Sequence, residues 1–136
     1  MKRRKVVIAL GGNAIQSGDA SAQAQQEALN RTAEQLVDFI INDVDIIIAH
    51  GNGPQVGMIN LAMDFANENE AGTPNMPFAE CGAMSQGYIG YHLQQSIDEE
   101  LKKNNIDKGC VTIITQVEVN KRDKAFTKLL DYNEYF

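Results

Sequence analysis

Val6-Val7-Ile8-Ala9-Leu10-Gly11-Gly12-Asn13 is a short apolar run that breaks into a double glycine, and Asp45-Ile46-Ile47-Ile48-Ala49-His50-Gly51-Asn52-Gly53-Pro54-Gln55-Val56-Gly57 repeats the plan further along. Both runs are apolar in consecutive positions rather than alternating, as a parallel strand covered on both faces reads. Each ends at a glycine turn that opens into a helix. Glycine there removes the Cβ that would hold a ligand off the backbone, and the unpaired N–H groups of the helix start face whatever lies in front of them. Two such corners predict an anion site.

Better-known phosphate loops are excluded by spacing. A Walker loop requires Gly-Lys-Ser or Gly-Lys-Thr, and the chain contains neither. The dinucleotide fingerprint requires two residues in its second gap, whereas Pro54, Gln55 and Val56 separate Gly53 from Gly57, with Pro54 at a first-turn position.

At 136 residues the chain is one domain's worth. A hydrophobic fraction of 43% is ordinary, and no apolar run reaches the ~20 residues that cross a bilayer, so a soluble protein without a membrane partner is expected. Eighteen acidic against twelve basic residues, a net charge of -6, disfavour a nucleic-acid surface. The basic run Lys2-Arg3-Arg4-Lys5 reads as a solvated arm before the first strand, and Val6 to Leu10 is too short for the apolar region of a signal peptide. Cys81 and Cys110 form no CxxC pair and have no clustered histidines. Reduced core thiols, no metal site and a cytoplasmic location are therefore expected.

After the first corner, Leu29, Ala33, Leu36, Val37, Ile40 and Ile41 form the stripe of a crossover helix, giving a βαβ unit. Pro54 to about Asn67 reads as a helix with Val56, Ile59 and Met63 on one side, and Asn67 to Pro77 as a loop. Ile89, Leu93, Ile97 and Leu101 mark a long helix that Lys102-Lys103 and Asn104-Asn105 bring to an end. Cys110 to Thr115 reads as a third parallel strand, continued by Gln116 to Val119. The expected fold is α/β, a three-layer αβα sandwich around a mainly parallel sheet at least three strands wide.

Four segments in order carry a family resemblance. They are Ala9-Leu10-Gly11-Gly12-Asn13-Ala14-Ile15, His50 to Gly57, Ala83-Met84-Ser85-Gln86-Gly87-Tyr88-Ile89-Gly90-Tyr91, and Thr115-Gln116-Val117-Glu118-Val119. From Val6 to about Phe126 the chain resembles the amino-terminal, acceptor lobe of the carbamate kinase branch of the amino acid kinase family. The resemblance implies reversible phosphoryl transfer between carbamoyl phosphate with ADP and carbamate with ATP, the magnesium arriving on the nucleotide. It also implies a small-molecule substrate, a homodimer and a place in arginine metabolism. In such chemistry preorganised donors and cations stabilise charge spread over the phosphoryl oxygens.

Carried over by position, Gly11, Gly12 and Asn13 look like the first phosphoryl-facing loop, and Gly51, Asn52 and Gly53 like the loop that meets carbamate and the transferred group. Gln55 looks like an orienting residue. Met84, Ser85 and Gln86 are expected to open the third helix beside the carbamate, Ser85 offering its hydroxyl and N–H. Core packing is the other reading of Met84, and turn formation that of Asn13 and Asn52. His50 reads as a strand-end histidine, because an acceptor that is already an anion needs no base. His92, Tyr88 and Tyr91 read as structural.

The sequence also departs from the family. A lysine two residues before the double glycine is common among amino acid kinases, and Ala9 stands there, as the carbamate kinase branch has it. After Ala125-Phe126 that branch reads Asn-Pro-Thr-Lys-Pro, whereas this chain reads Thr127-Lys128-Leu129-Leu130-Asp131 and puts Asp131 at the lysine's register. Lys128 is the remaining candidate cation. The expected division is a lobe at 1–126 and a divergent tail at 127–136, an apparent truncation that omits the nucleotide-binding lobe. The alternative to a kinase is a non-catalytic anion-binding or subunit-pairing half-domain of the same descent.

Overall fold

The computed structural model describes residues 3–16, 18–69 and 71–124. The tail at 127–136, with Lys128 and Asp131, lies outside them. In chain order the elements are β1 (Arg4–Leu10), α1 (Gly12–Ile15), α2 (Ala22–Ile41), β2 (Val44–His50), α3 (Gly53–Glu68) and α4 (Phe78–Lys103). The two strands pair in parallel, in a register running from Arg4 opposite Val44 to Leu10 opposite His50.

Local chemistry sets these boundaries. Ser21 caps α2, its Oγ accepting from the Ala24 N–H at 3.2 Å. Asn42 ends that helix, and Asp43 turns the chain into β2 with a φ of 60°. At the end of α4, Asn105 takes the left-handed conformation at a φ of 55°. The Ile106 N–H bonds the Leu101 carbonyl at 2.9 Å and the Asn105 N–H bonds Lys102 at 3.0 Å. These are the two bonds of a Schellman cap, completed by the packing of Ile106 against the cluster that holds Leu101.

The core lies between one face of the sheet and the α2–α4 pair. Leu10, Ile15, Leu29, Ile89 and Leu93 form one cluster beneath the corners, and Ala33, Leu36, Val37, Ile97 and Leu101 form a second toward the other end. Ile8 and Ile48 touch both. The stripes of α2 and α4 are therefore as the sequence predicts, except that Ile41 turns outward. α3 packs on α4.

Three expectations change. Residues 110–115 form no strand, and the sheet among the described residues has two strands. The backbone of this segment bonds side chains of α4 instead of a strand edge. The Gln94 Nε2 donates to the Cys110 carbonyl at 3.0 Å, the Cys110 N–H donates to Asp98 Oδ1 at 3.2 Å, and the Thr115 N–H donates to Gln86 Oε1 at 2.8 Å. A β-rich sequence becomes a strand only against a partner edge, and here side chains compete for its groups. Second, Val7 and Ile47 on the sheet's other face are 67% and 56% exposed, so within the described residues helices cover one face. Third, Arg4 and Lys5 belong to β1 rather than to an arm preceding it, and Arg3 lies 3.9 Å from Asp43 and 3.7 Å from Asp45.

Candidate functional site

The parallel register brings the two glycine corners together, because Leu10 and His50 are paired and each is the last residue of its strand. Gly12 and Gly53 are the first residues of α1 and α3. Gly11 caps α1 with extended backbone, and the Gln16 N–H closes that turn on the Gly12 carbonyl at 2.8 Å. At the second corner the Val56 N–H bonds the Asn52 carbonyl at 2.9 Å.

At both corners the glycines are not required by the fold. An added Cβ at Gly11, Gly12, Gly51 or Gly53 would meet no protein atom within 4 Å, and the positive-φ glycines among the described residues are Gly18 and Gly72. The same clear space surrounds every other described glycine except Gly90, so what marks these four is their place at the ends of two paired strands. What their missing Cβ atoms leave is open space beside the starts of α1 and α3.

Asn52 is held from behind. Its Nδ2 donates to the Ser85 hydroxyl at 2.7 Å, and that hydroxyl donates to the Gly82 carbonyl at 2.7 Å. Ser85 is fully buried. Met84, Ser85 and Gln86 do not open a helix, since α4 starts at Phe78, directly after Pro77. The Ser85 N–H is thus inside the helix, and its hydroxyl is engaged in fixing Asn52. Met84 is half-buried. Gln86 pairs with Thr115, its Nε2 also donating to the Thr115 carbonyl at 3.3 Å.

Gln55 points away from the open space. Only 2% exposed, it donates through Nε2 to Gln16 Oε1 at 3.1 Å and to Gln25 Oε1 at 3.0 Å. His50 donates from Nδ1 to the Gly51 carbonyl at 2.9 Å, the satisfied strand-end role expected of it. Asn13 is exposed on α1.

Next to the corners, an apolar cavity of about 780 Å³ lies between β2, α4 and residues 108–115, and His50, Asn52 and Gln86 line its polar edge. None of Gly11, Gly12, Gly51 and Gly53 lines it, so it is distinct from the open space at the corners. Charge at the corners is the backbone's own. Arg3, Arg4 and Lys5 lie at the opposite end of the sheet, ~20 Å away along a seven-residue strand. Among the described residues no group of three or more His, Cys, Asp or Glu could hold a metal ion. Burial, followed by the nearby Asp98 charge, pushes the Cys110 thiol up and keeps it protonated.

Two polar clusters escaped the sequence reading. One is the Gln16–Gln55–Gln25 group; its signal was Gln25 on the same helical stripe as Leu29 and Ala33. The other joins α2 to α4. His92 Nδ1 donates to Gln26 Oε1, Gln26 Nε2 donates to Ser96 Oγ at 2.7 Å, and Ser96 Oγ donates to Asn30 Oδ1 at 2.7 Å. Tyr88 meets the His92 ring edge-on at 4.9 Å.

Paired glycine corners at the carboxyl ends of adjacent parallel strands place an open crevice where α/β folds collect ligands. The chain belongs to the amino acid kinase family, whose sequence profile matches residues 4–126. It is 54% identical over 122 residues to a carbamate kinase of Staphylococcus epidermidis, covering 90% of this chain and 38% of that protein. A carbamate kinase of Staphylococcus haemolyticus is 53% identical over the same length. The solved carbamate kinase of Giardia lamblia bound to AMP-PNP superposes with a TM-score of 0.85 at 38% identity, over 92% of this chain and 44% of that one. The same enzyme thiocarbamoylated by disulfiram gives a TM-score of 0.86. The fold accordingly matches the αβα amino-terminal lobe of that family, of which the described residues here form the sheet and one helical layer, and the chain spans 38% of the length of the curated relatives it matches.

Proposed function

We propose that this chain supplies the acceptor lobe of a carbamate kinase-type phosphotransferase, with the glycine corners holding the transferred phosphoryl group and the carbamate. The carrying observation is the parallel register that pairs Leu10 with His50 and so sets the two glycine turns side by side at one end of the sheet. Nucleotide use is supported by the AMP-PNP bound to a relative.

In this reading the phosphoryl group leaves the carbamoyl oxygen of carbamoyl phosphate and joins the terminal phosphate oxygen of ADP, so that one P–O bond breaks and one forms. Carbamate departs as an anion and no proton need move, which leaves His50 free for its structural bond. The N–H groups of Gly12 and Gly53 and their neighbours face the equatorial oxygens, where charge spreads in the transition state. Asn52, its Nδ2 bonded to Ser85, holds the turn of the second corner in place. The corners offer donors, which suit an anion, so magnesium would be carried by the nucleotide, and it supplies charge neutralisation when bound. A homodimer, a cytoplasmic setting and a role in arginine metabolism go with this assignment, and the exposed Met58, Leu61 and Phe65 on α3 offer apolar surface for pairing.

The test is ATP formation from carbamoyl phosphate and ADP. The 136-residue chain is expected to run near background, because loss of one well-placed electrostatic group typically costs ~100- to 1,000-fold. The chain joined to the remaining sequence of the Staphylococcus epidermidis relative is expected to turn over. A folded fusion that binds nucleotide without turnover would contradict the assignment and favour a non-catalytic half-domain.

A further inference from the structure

Gln55 and Gln25 are each 2% exposed, and their side-chain amides bond each other, the first corner and the start of α2. Gln55 stands in the first turn of α3, at the second corner. Both hydrogens of its Nε2 are used, one on Gln16 Oε1 at 3.1 Å and one on Gln25 Oε1 at 3.0 Å. Gln16 belongs to the first corner, since its own N–H bonds the Gly12 carbonyl at 2.8 Å. Gln25 passes the connection on, its Nε2 donating to the Ala20 carbonyl at 2.8 Å, just ahead of the Ser21 cap of α2. The end of α1 and the starts of α2 and α3 are thus tied through the side-chain amides of Gln55 and Gln25. β-pairing fixes the strands beneath the corners, but it ends at Leu10 and His50 and does not itself fix the turns beyond them.

We propose that Gln16, Gln25 and Gln55 are positioning residues, a buried glutamine clamp that sets the spacing between the two glycine corners so that one phosphoryl-sized anion can reach both. The proposal rests on the anion-binding reading of the corners given above. The physical reason is geometric. N–H···O bonds weaken steeply outside about 2.7–3.2 Å, so an anion shared between two turns is sensitive to their separation in a way that an anion held by one turn is not. Glutamine suits the task because one planar amide can donate twice and accept in fixed directions. An apolar side chain of similar size at position 55 would fill the volume and leave the corners uncoupled.

The test uses the 136-residue chain labelled with ¹⁵N and titrated with inorganic phosphate. In the unaltered chain the amides at Gly11–Asn13 and Gly51–Gly53 are expected to shift along one saturation curve. Gln55→Leu is expected to weaken phosphate about tenfold and to give the two corners separate curves. Gln16→Leu, at a half-buried position outside the core clusters, gives a second variant should Gln55→Leu fail to fold. It is expected to speed hydrogen exchange of the Val56 amide about tenfold, an effect across corners that local packing does not produce. Gln16→Glu keeps the accepting oxygen and should restore the Val56 protection. Folded Gln55→Leu or Gln16→Leu chains with unchanged Val56 exchange and unchanged phosphate affinity would overturn the clamp. Accelerated Val56 exchange in Gln16→Leu, in a chain whose corners show no phosphate shifts, would support the clamp and count against the anion-binding reading alone.

Discussion

The glycine corners and the segment after α4 are built from equally apolar sequence, yet they end in opposite states. Around the corners Leu10, Ile15 and Leu29 are buried, and each described buried side-chain polar atom has a partner. From Val111 to Val119 the apolar side chains face outward, with Val111 at 80% and Val117 at 83% exposure. The difference lies in where the partner comes from. β1 and β2 find each other across one crossover helix, whereas the later segment meets Gln86, Gly90, Gln94 and Asp98 on α4 and pairs with no strand among the described residues. A strand sequence fixes the wish for an edge, and topology decides whether one is in reach.

Breaking the first region should cost most. Leu29→Ala opens a void at a fully buried position under the corners and is expected to lower unfolding free energy by ~2–5 kcal/mol in urea titrations. A smaller effect is expected at the contact between the two regions. A Cβ on Gly90 would stand 2.2 Å from Thr112 Cγ2, so Gly90→Ala must displace residues 110–115 from α4. The expected cost is ~1–3 kcal/mol, with new amide shifts confined to that segment. If Gly90→Ala instead disturbed the corners, the two regions would not be independent.

His92 sharpens the comparison through pH. Burial lowers its pKa from 6.5, so the folded chain favours the neutral ring while the unfolded chain takes up a proton near the ordinary value. The unfolded state then binds more protons as pH falls through this range. Stability is present above about pH 6.5 and declines below it. Melting curves should show a fall in Tm of a few degrees between roughly pH 7.5 and 5.5, and His92→Gln should flatten that part of the slope. Least is expected of Val117→Ser, which should stay within ~0.5 kcal/mol because its side chain already meets water. A large loss there would mean that this surface is covered.

How much of this was legible follows the same division. Ile89, Leu93, Ile97 and Leu101 announced α4 by spacing alone, and Asn105 announced its end, because helices are specified by residues a turn apart. The turns after β1 and β2 were legible because glycine breaks each apolar run, at Gly11 and Gly12 and again at Gly51 and Gly53. The strand expected at Cys110 to Thr115 was misread, since its composition says nothing about which edge it can reach. The start of α4 was placed too late because Phe78 to Ala83 lacks a strong apolar period. The roles of Gln55 and Ser85 were out of reach for a related reason: their partners Gln16, Gln25 and Asn52 are distant in sequence and meet only in the fold.

The central claim, that the corners carry glycine for a ligand rather than for the fold, is tested most directly by measuring phosphate affinity and unfolding free energy together for Gly53→Ala. A methyl there meets no protein atom, so stability is expected to hold or rise by ~0.4–1 kcal/mol through the less flexible unfolded chain. Phosphate binding, followed by the Gly51 and Asn52 amide shifts, is expected to fall at least about tenfold as the methyl enters the anion's space. A Gly53→Ala chain that binds phosphate as tightly as the original would contradict the account.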